Sequence, residues 1–151
     1  MPIQTPFFEA VTGKTISHVW RGYGSALFLE FGELTPQTSH DGRDLDPSGH
    51  ITLMIEWSWR ISTENSILAG SWSDEETWPD IFQDLVGSTL EAIELFGELP
   101  EVRLTLSSGH RVVSFMTSDG QPEWALISRQ PDLGSLSVEA GTLVVKPLSD
   151  R

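Results

Sequence analysis

Apolar and polar residues alternate with period two over much of this chain. Leu27, Leu29 and Phe31 alternate with Phe28 and Glu30. Ile51, Leu53, Ile55, Trp57, Trp59 and Ile61 alternate with Thr52, Met54, Glu56, Ser58 and Arg60. Eleven residues of unbroken alternation predict a long strand with one buried face, Trp57 and Trp59 both lying on that face. Further on, Val102, Leu104 and Leu106 alternate with Glu101, Arg103, Thr105 and Ser107, and Ser108-Gly109 predicts a tight hairpin turn. Residues 112–116, apolar at both parities, read as a central strand covered on both faces. Asp119-Gly120 marks another hairpin before a strand over 123–128, and residues 142–146 read as a last strand.

Two short helices interrupt this pattern. Thr5-Pro6 and Trp78-Pro79 place proline where a first helical turn tolerates its missing N–H. Gly13 and Gly87 then supply residues able to end a helix at positive φ. Ile81, Phe82 and Leu85 form one apolar helix face.

The two helical segments belong to an internal repeat. Phe8, Gly13 and Thr15 coincide with Phe82, Gly87 and Thr89, with Val11/Leu85, Ile16/Leu90 and Val19/Ile93 apolar in both. Ser48-Gly49-His50 then matches Ser108-Gly109-His110, and Glu56-Trp57 with Ile61-Ser62 matches Glu123-Trp124 with Ile127-Ser128. The drift in spacing puts a longer loop, residues 33–47, in the first copy. The predicted fold is mainly β (α+β). A single domain over residues 1–151 comprises two similar β-rich halves, 5–73 and 78–147, each opened by a short helix. The halves pack as one sandwich- or barrel-like unit with pseudo-two-fold symmetry.

Composition narrows the function classes. The 151 residues carry a net charge of −13 and no cysteine, which excludes disulfide scaffolds, thiolate metal sites and thiol nucleophiles. Nucleic acid is not expected as a partner, because phosphate binding needs a basic footprint. Arg21-Gly22-Tyr23-Gly24-Ser25-Ala26-Leu27-Phe28 resembles an RNA-binding strand motif but has Ser25 where a stacking aromatic belongs, and reads as a glycine turn. No apolar run approaches the ~20 residues of a membrane span. The first six residues lack the basic and apolar regions of a signal peptide, so a cytoplasmic protein is expected.

Neither metal nor cofactor is expected. His40, Asp41, Asp44, Asp46 and His50 gather hard ligands in the long loop, but their spacing matches no calcium or zinc pattern. No nucleophile elbow, metalloprotease motif or phosphate loop occurs, so an enzyme is the less favoured reading.

Charge is unevenly spread. Residues 61–102 contain ten acids and not one Lys or Arg, a field suited to steering a basic partner. Within it, Trp72, Asp74, Glu75, Glu76, Trp78, Asp80 and Asp84 are predicted to form one exposed acidic–aromatic patch, the composition of an interface hot spot.

The order proline–helix–glycine, apolar strands, Ser-Gly-His turn and Glu-Trp-x-x-Ile-Ser resembles bacterial domains of unknown function, some of them small acidic immunity proteins of polymorphic toxin systems. Gly87, Leu104, Leu106, Gly109, Phe115, Glu123 and Trp124 carry the likeness. It implies a non-enzymatic binding protein of immunity type that recognises a basic protein. The alternative expectation is a small-molecule-binding protein or metal-free enzyme with a pocket between the two halves.

Overall fold

The computed structural model describes residues 1–119 and 122–148. It is mainly β, with two short helices, and the elements follow the hydrophobic pattern closely in places. Helix α1 spans Thr5–Val11 and α2 spans Trp78–Leu85, each with proline in its first turn. Gly13 and Gly87 follow at φ +88° and +93°, the left-handed conformation that only glycine adopts without strain.

Thirteen strands are described: β1 Ile16–Arg21, β2 Leu27–Phe31, β3 Thr35–Thr38, β4 Asp44–Ser48, β5 Ile51–Ile55, β6 Trp59–Ser62, β7 Ile67–Gly70, β8 Leu90–Phe96, β9 Glu101–Leu106, β10 Arg111–Ser114, β11 Trp124–Ser128, β12 Gly134–Glu139 and β13 Thr142–Lys146. All pairings between them are antiparallel. One sheet has the order β1-β2-β5-β11-β12-β13 and a second β7-β6-β10-β9-β8, while β3 and β4 form a separate hairpin.

The inner faces of the two sheets share one core. Leu27, Leu29, Phe31, Leu53, Ile55, Leu126 and Leu136 come from the first sheet; Trp59, Ile61, Leu104, Leu106 and Val112 come from the second. The buried faces of α1 and α2 join it through Phe7 and Val11, and through Trp78, Phe82 and Leu85. Strand β9 shows strict alternation, with Val102, Leu104 and Leu106 buried between half-buried neighbours, as its sequence predicts. Strand β10 is central in its sheet, and the Ser108-Gly109 turn joins it to β9.

The long strand predicted over Ile51 to Ile61 is two strands. Strand β5 lies in the first sheet and β6 in the second, and the chain crosses between them through residues 56–58. Trp57 sits on this crossover with 43% of its surface exposed, whereas Trp59 is wholly buried. Alternation reports which residues share a parity; it does not report that the chain has moved to another sheet. Trp59 is the first residue of β6, as Trp124 is of β11. Both are buried, and each indole N–H donates to a carbonyl of a hairpin turn, Trp59 to Ser25 (2.5 Å) and Trp124 to Pro100 (2.8 Å).

The segment 33–47, expected as a loop, contains most of the β3–β4 hairpin. Its pattern is polar and exposed because it pairs only with itself, so it carries no core periodicity. Strands β1, β7, β8 and β12 likewise escape the alternation signal; β7 and β8 are edge strands with mostly exposed or half-buried side chains. The turn expected at Asp119-Gly120 involves Gly120, which lies outside the described residues.

Near the start of β1 and β8 the segments that follow the two helices bond to each other. Gly13 N–H donates to Leu90 O and Gly87 N–H to Ile16 O, both at 2.8 Å. Leu90 N–H donates to Lys14 O (2.9 Å) and Ile16 N–H to Ser88 O (2.8 Å), flanking a bridge between Thr15 and Thr89.

Candidate functional site

Of the seven residues predicted to form an acidic–aromatic patch, six are exposed and one is not. Trp72, between β7 and the 3-10 turn at Glu75–Thr77, has 80% of its surface exposed. Trp78 is 1% exposed and cannot belong to any surface patch. It meets Trp59 edge-on at 5.0 Å between ring centroids, stacks on Phe82 at 6.0 Å, and donates its indole N–H to Ser73 Oγ at 3.0 Å. The signal was present in the sequence: Trp78, Phe82 and Leu85 fall at i, i+4 and i+7, the core stripe of a helix.

Two of the acids are occupied by the protein itself. Asp74 accepts the backbone N–H of Glu76 (3.0 Å), capping the 3-10 turn. Glu75 pairs with the Arg21 guanidinium, which also lies 5.0 Å over the Trp78 ring and donates to Gly24 O. Glu76, Asp80 and Asp84 remain exposed, and among the described residues none of them has a cationic partner.

A second candidate lies on the outer face of the six-stranded sheet, beside the β3–β4 hairpin. A cavity of about 620 Å³ is lined by Trp20, Phe28, Glu30, Leu45, Ile127 and Arg129 among others. Trp20 and Phe28 stack at 4.0 Å, 12° from parallel, giving it an aromatic wall. His18 Nε2 meets Asp46 Oδ1 at 2.8 Å and ties the hairpin to β1. Glu30 is buried, and its carboxylate is saturated. Oε2 accepts from Trp20 Nε1 (2.8 Å); Oε1 accepts from the Gly49 backbone N–H (3.0 Å) and from the Thr52 hydroxyl. Arg129 reaches the same cluster by donating to Thr52 Oγ1 at 2.8 Å and Gly49 O at 3.2 Å. No sequence signal marked Glu30, because its donors come from positions far along the chain.

The third candidate is the reverse case. Glu123, just before β11, is 4% exposed, and among the described residues its buried Oε1 has no hydrogen-bond partner. It lines a recess of about 380 Å³ with Leu99, Met116, Thr117, Ser118, Asp119 and Gly141. Burial, reinforced by the charges of Glu101, Asp119 and Glu56, raises its pKa above the ordinary carboxylate value. Glu101 is itself held by the Ser114 hydroxyl (2.7 Å) and the Met116 N–H (2.8 Å).

This shift has a sign. The folded protein holds the Glu123 proton more tightly than the unfolded chain does, so stability falls as pH rises from the ordinary carboxylate value through the raised one. Glu123→Gln, which removes the charge and keeps the shape, is expected to stabilise the protein at neutral pH by roughly 1 kcal/mol or more. The gain should vanish on acidification, when wild type is protonated too. Thermal melts of both proteins at neutral and acidic pH check this; an unchanged or lowered melting temperature at neutral pH contradicts it.

The hard ligands of segment 33–47 do not converge. Asp41 pairs with Arg43 and Asp46 with His18, and no three metal-binding side chains meet anywhere among the described residues. Nor is any described helix long and apolar enough to cross a membrane. Comparison with family models, with curated proteins and with solved structures finds no match. The function of this chain therefore has to be read from its own residues.

Proposed function

We propose that this chain is a non-enzymatic binding protein that holds a basic protein partner on the acidic surface around α2. The observation that carries this reading is Trp72, a large aromatic left 80% exposed in the same acidic stretch as Glu76, Asp80 and Asp84, carboxylates without a cationic partner among the described residues. An exposed tryptophan with an acidic surround supplies an anchor and a steering field together. The resemblance to small acidic immunity proteins agrees with it, and a cytoplasmic setting suits a chain without cysteine.

The test is kinetic. With a basic partner protein in surface plasmon resonance, Asp80→Lys combined with Asp84→Lys should slow association by about ten-fold at low salt, and less at high salt. Trp72→Ala should chiefly speed dissociation. Association rates unchanged by the charge reversal at low salt would remove the reading.

The cavity beside the β3–β4 hairpin favours a second reading, a small-molecule binder or metal-free enzyme. Its aromatic wall and the polar groups around Thr52 and Arg129 have the makings of a ligand pocket, and its lining comes from both halves of the chain.

We also read the molecule as a duplicated unit, residues 5–73 and 78–147, about a pseudo-two-fold axis near the Thr15–Thr89 bridge. Exchanging β1, β2, β5, β11 and β12 for β8, β9, β10, β6 and β7 converts five strands of the first sheet into the order of the second. The reciprocal bonds of Gly13 and Gly87 support the same exchange. On this reading β3–β4 is an insertion in the first copy, and Glu123 stands where the first copy has Ser58. Each residue precedes its buried tryptophan, and each carbonyl accepts from a crossover or strand-end N–H, that of Glu56 (2.9 Å) or Phe115 (3.1 Å).

A further inference from the structure

We propose that the recess lined by Arg60, Arg103 and Arg111, on the outer face of the five-stranded sheet, binds a phosphate group, free or as the monoester of a small molecule. It shares no lining residue with the cavity beside the β3–β4 hairpin or with the surface around α2, and it rests on neither reading above.

Strand register places the three side chains together. Arg60 of β6 and Arg103 of β9 are the two register partners of Val113 in β10, and residues paired in register share a face. Arg111 lies two residues before Val113 and so shares that face too. Val112, between them, belongs to the core, which makes the arginine face the outer one. Strand β10 separates the backbones of β6 and β9 by roughly 10 Å, a span that two long side chains can close from opposite sides of one small group. The recess among them measures about 430 Å³, and Ile67 and Phe96 add apolar surface to its lining.

The charge here is opposite to that of the whole molecule. In a chain of net charge −13, three of the nine Lys and Arg line one recess against a single acid, Glu64 of the β6–β7 turn. Arg103 has a partner: its Nε donates to Glu94 Oε1 at 3.1 Å, and its guanidinium lies 4.8 Å over the Phe96 ring. Arg60 and Arg111 form no ion pair among the described residues. Their cross-strand neighbours are Gly70, Val113, Ser62 and Thr105, all uncharged. Two exposed cations on adjacent strands repel each other, and an anion held between them removes that repulsion.

Geometry decides which anion. A carboxylate is planar, and one guanidinium fork satisfies it. A phosphate monoester carries close to two charges and presents three acceptor oxygens in different directions. Guanidinium groups arriving from three strands match the second shape, and two of them are without a carboxylate partner. The apolar side chains in the lining suit a phosphate that carries an organic group.

The test is NMR titration of the full chain at low salt with phenyl phosphate, with benzoate as the planar monoanion. Phenyl phosphate should produce saturable shifts of the amide signals of Arg60, Ser62, Arg103 and Arg111, and benzoate should bind about ten-fold more weakly or less. Arg60→Gln combined with Arg111→Gln, both exposed positions, should weaken phenyl phosphate by about ten-fold or more. Glu64→Gln, which removes the acid of the lining, should tighten it by about two-fold. Arg43→Gln, a loss of positive charge on the β3–β4 hairpin, should leave it unchanged. Inorganic phosphate separates the sources: weaker binding than phenyl phosphate assigns the site to a phosphate ester, and equal or tighter binding assigns it to free phosphate. No saturable shift, benzoate binding as tight as phenyl phosphate, or full binding by the double arginine variant would overturn the proposal and leave the three arginines as solvated surface cations.

Discussion

Trp59→Ala should cost about 3–5 kcal/mol of stability, the range for truncating a large buried aromatic, while Trp57→Ala should cost less than about 1 kcal/mol. The residues are two positions apart, share a parity and are the same amino acid. What separates them is the crossover: Trp59 is wholly buried against Trp78 and Phe82, with its indole bonded to Ser25 O. Trp57 lies on the connection between the sheets and is nearly half exposed. Because a domain of this kind has only about 5–15 kcal/mol in total, the Trp59 variant should be close to unfolding. Urea denaturation of both variants checks the contrast. Similar losses at the two positions would mean that β5 and β6 run on as one strand.

Glu30→Ala should cost roughly 3 kcal/mol or more, since it strands three donors in a buried place at about 1–3 kcal/mol each. Trp20 Nε1, the Gly49 N–H and the Thr52 hydroxyl all lose their acceptor together. Glu30→Gln keeps the volume but turns one acceptor into a donor, and about 1–3 kcal/mol is expected from that alone. The same Glu→Gln change at position 123 is expected to act in the opposite direction. One carboxylate is saturated, so neutralising it removes favourable bonds; the other is an orphan, so neutralising it removes a penalty. Chemical denaturation of the two amide variants at neutral pH tests both signs, and hydrogen exchange at the Gly49 amide reports whether the Glu30 loss is local. If Glu30→Gln proves neutral, its hydrogen bonds do not stabilise the fold.

These predictions also mark where sequence reading ends. Features set by neighbours along the chain were legible in it. Proline and glycine bracket α1 and α2 because their φ preferences act within one or two residues. The alternation of β9 and its Ser-Gly turn into β10 were readable because a hairpin is a local object. The acidic stretch 61–102 is a matter of composition and needs no structure.

What required tertiary structure is whatever depends on residues brought together from far apart. Period two at Ile51–Ile61 does not reveal that the chain leaves one sheet for the other, since each sheet buries the same parity against the common core. The stripe Trp78, Phe82 and Leu85 marks the buried face of α2 in the sequence, but only the structure shows that Trp59 is what packs on Trp78. Glu30 and Glu123 are two glutamates among many acids in the sequence. Only the approach of Gly49 and Thr52 to one, and the lack of any described donor to the buried oxygen of the other, gives them opposite roles. Burial of a charge is tolerated or costly according to its partners, and those partners are chosen by the fold.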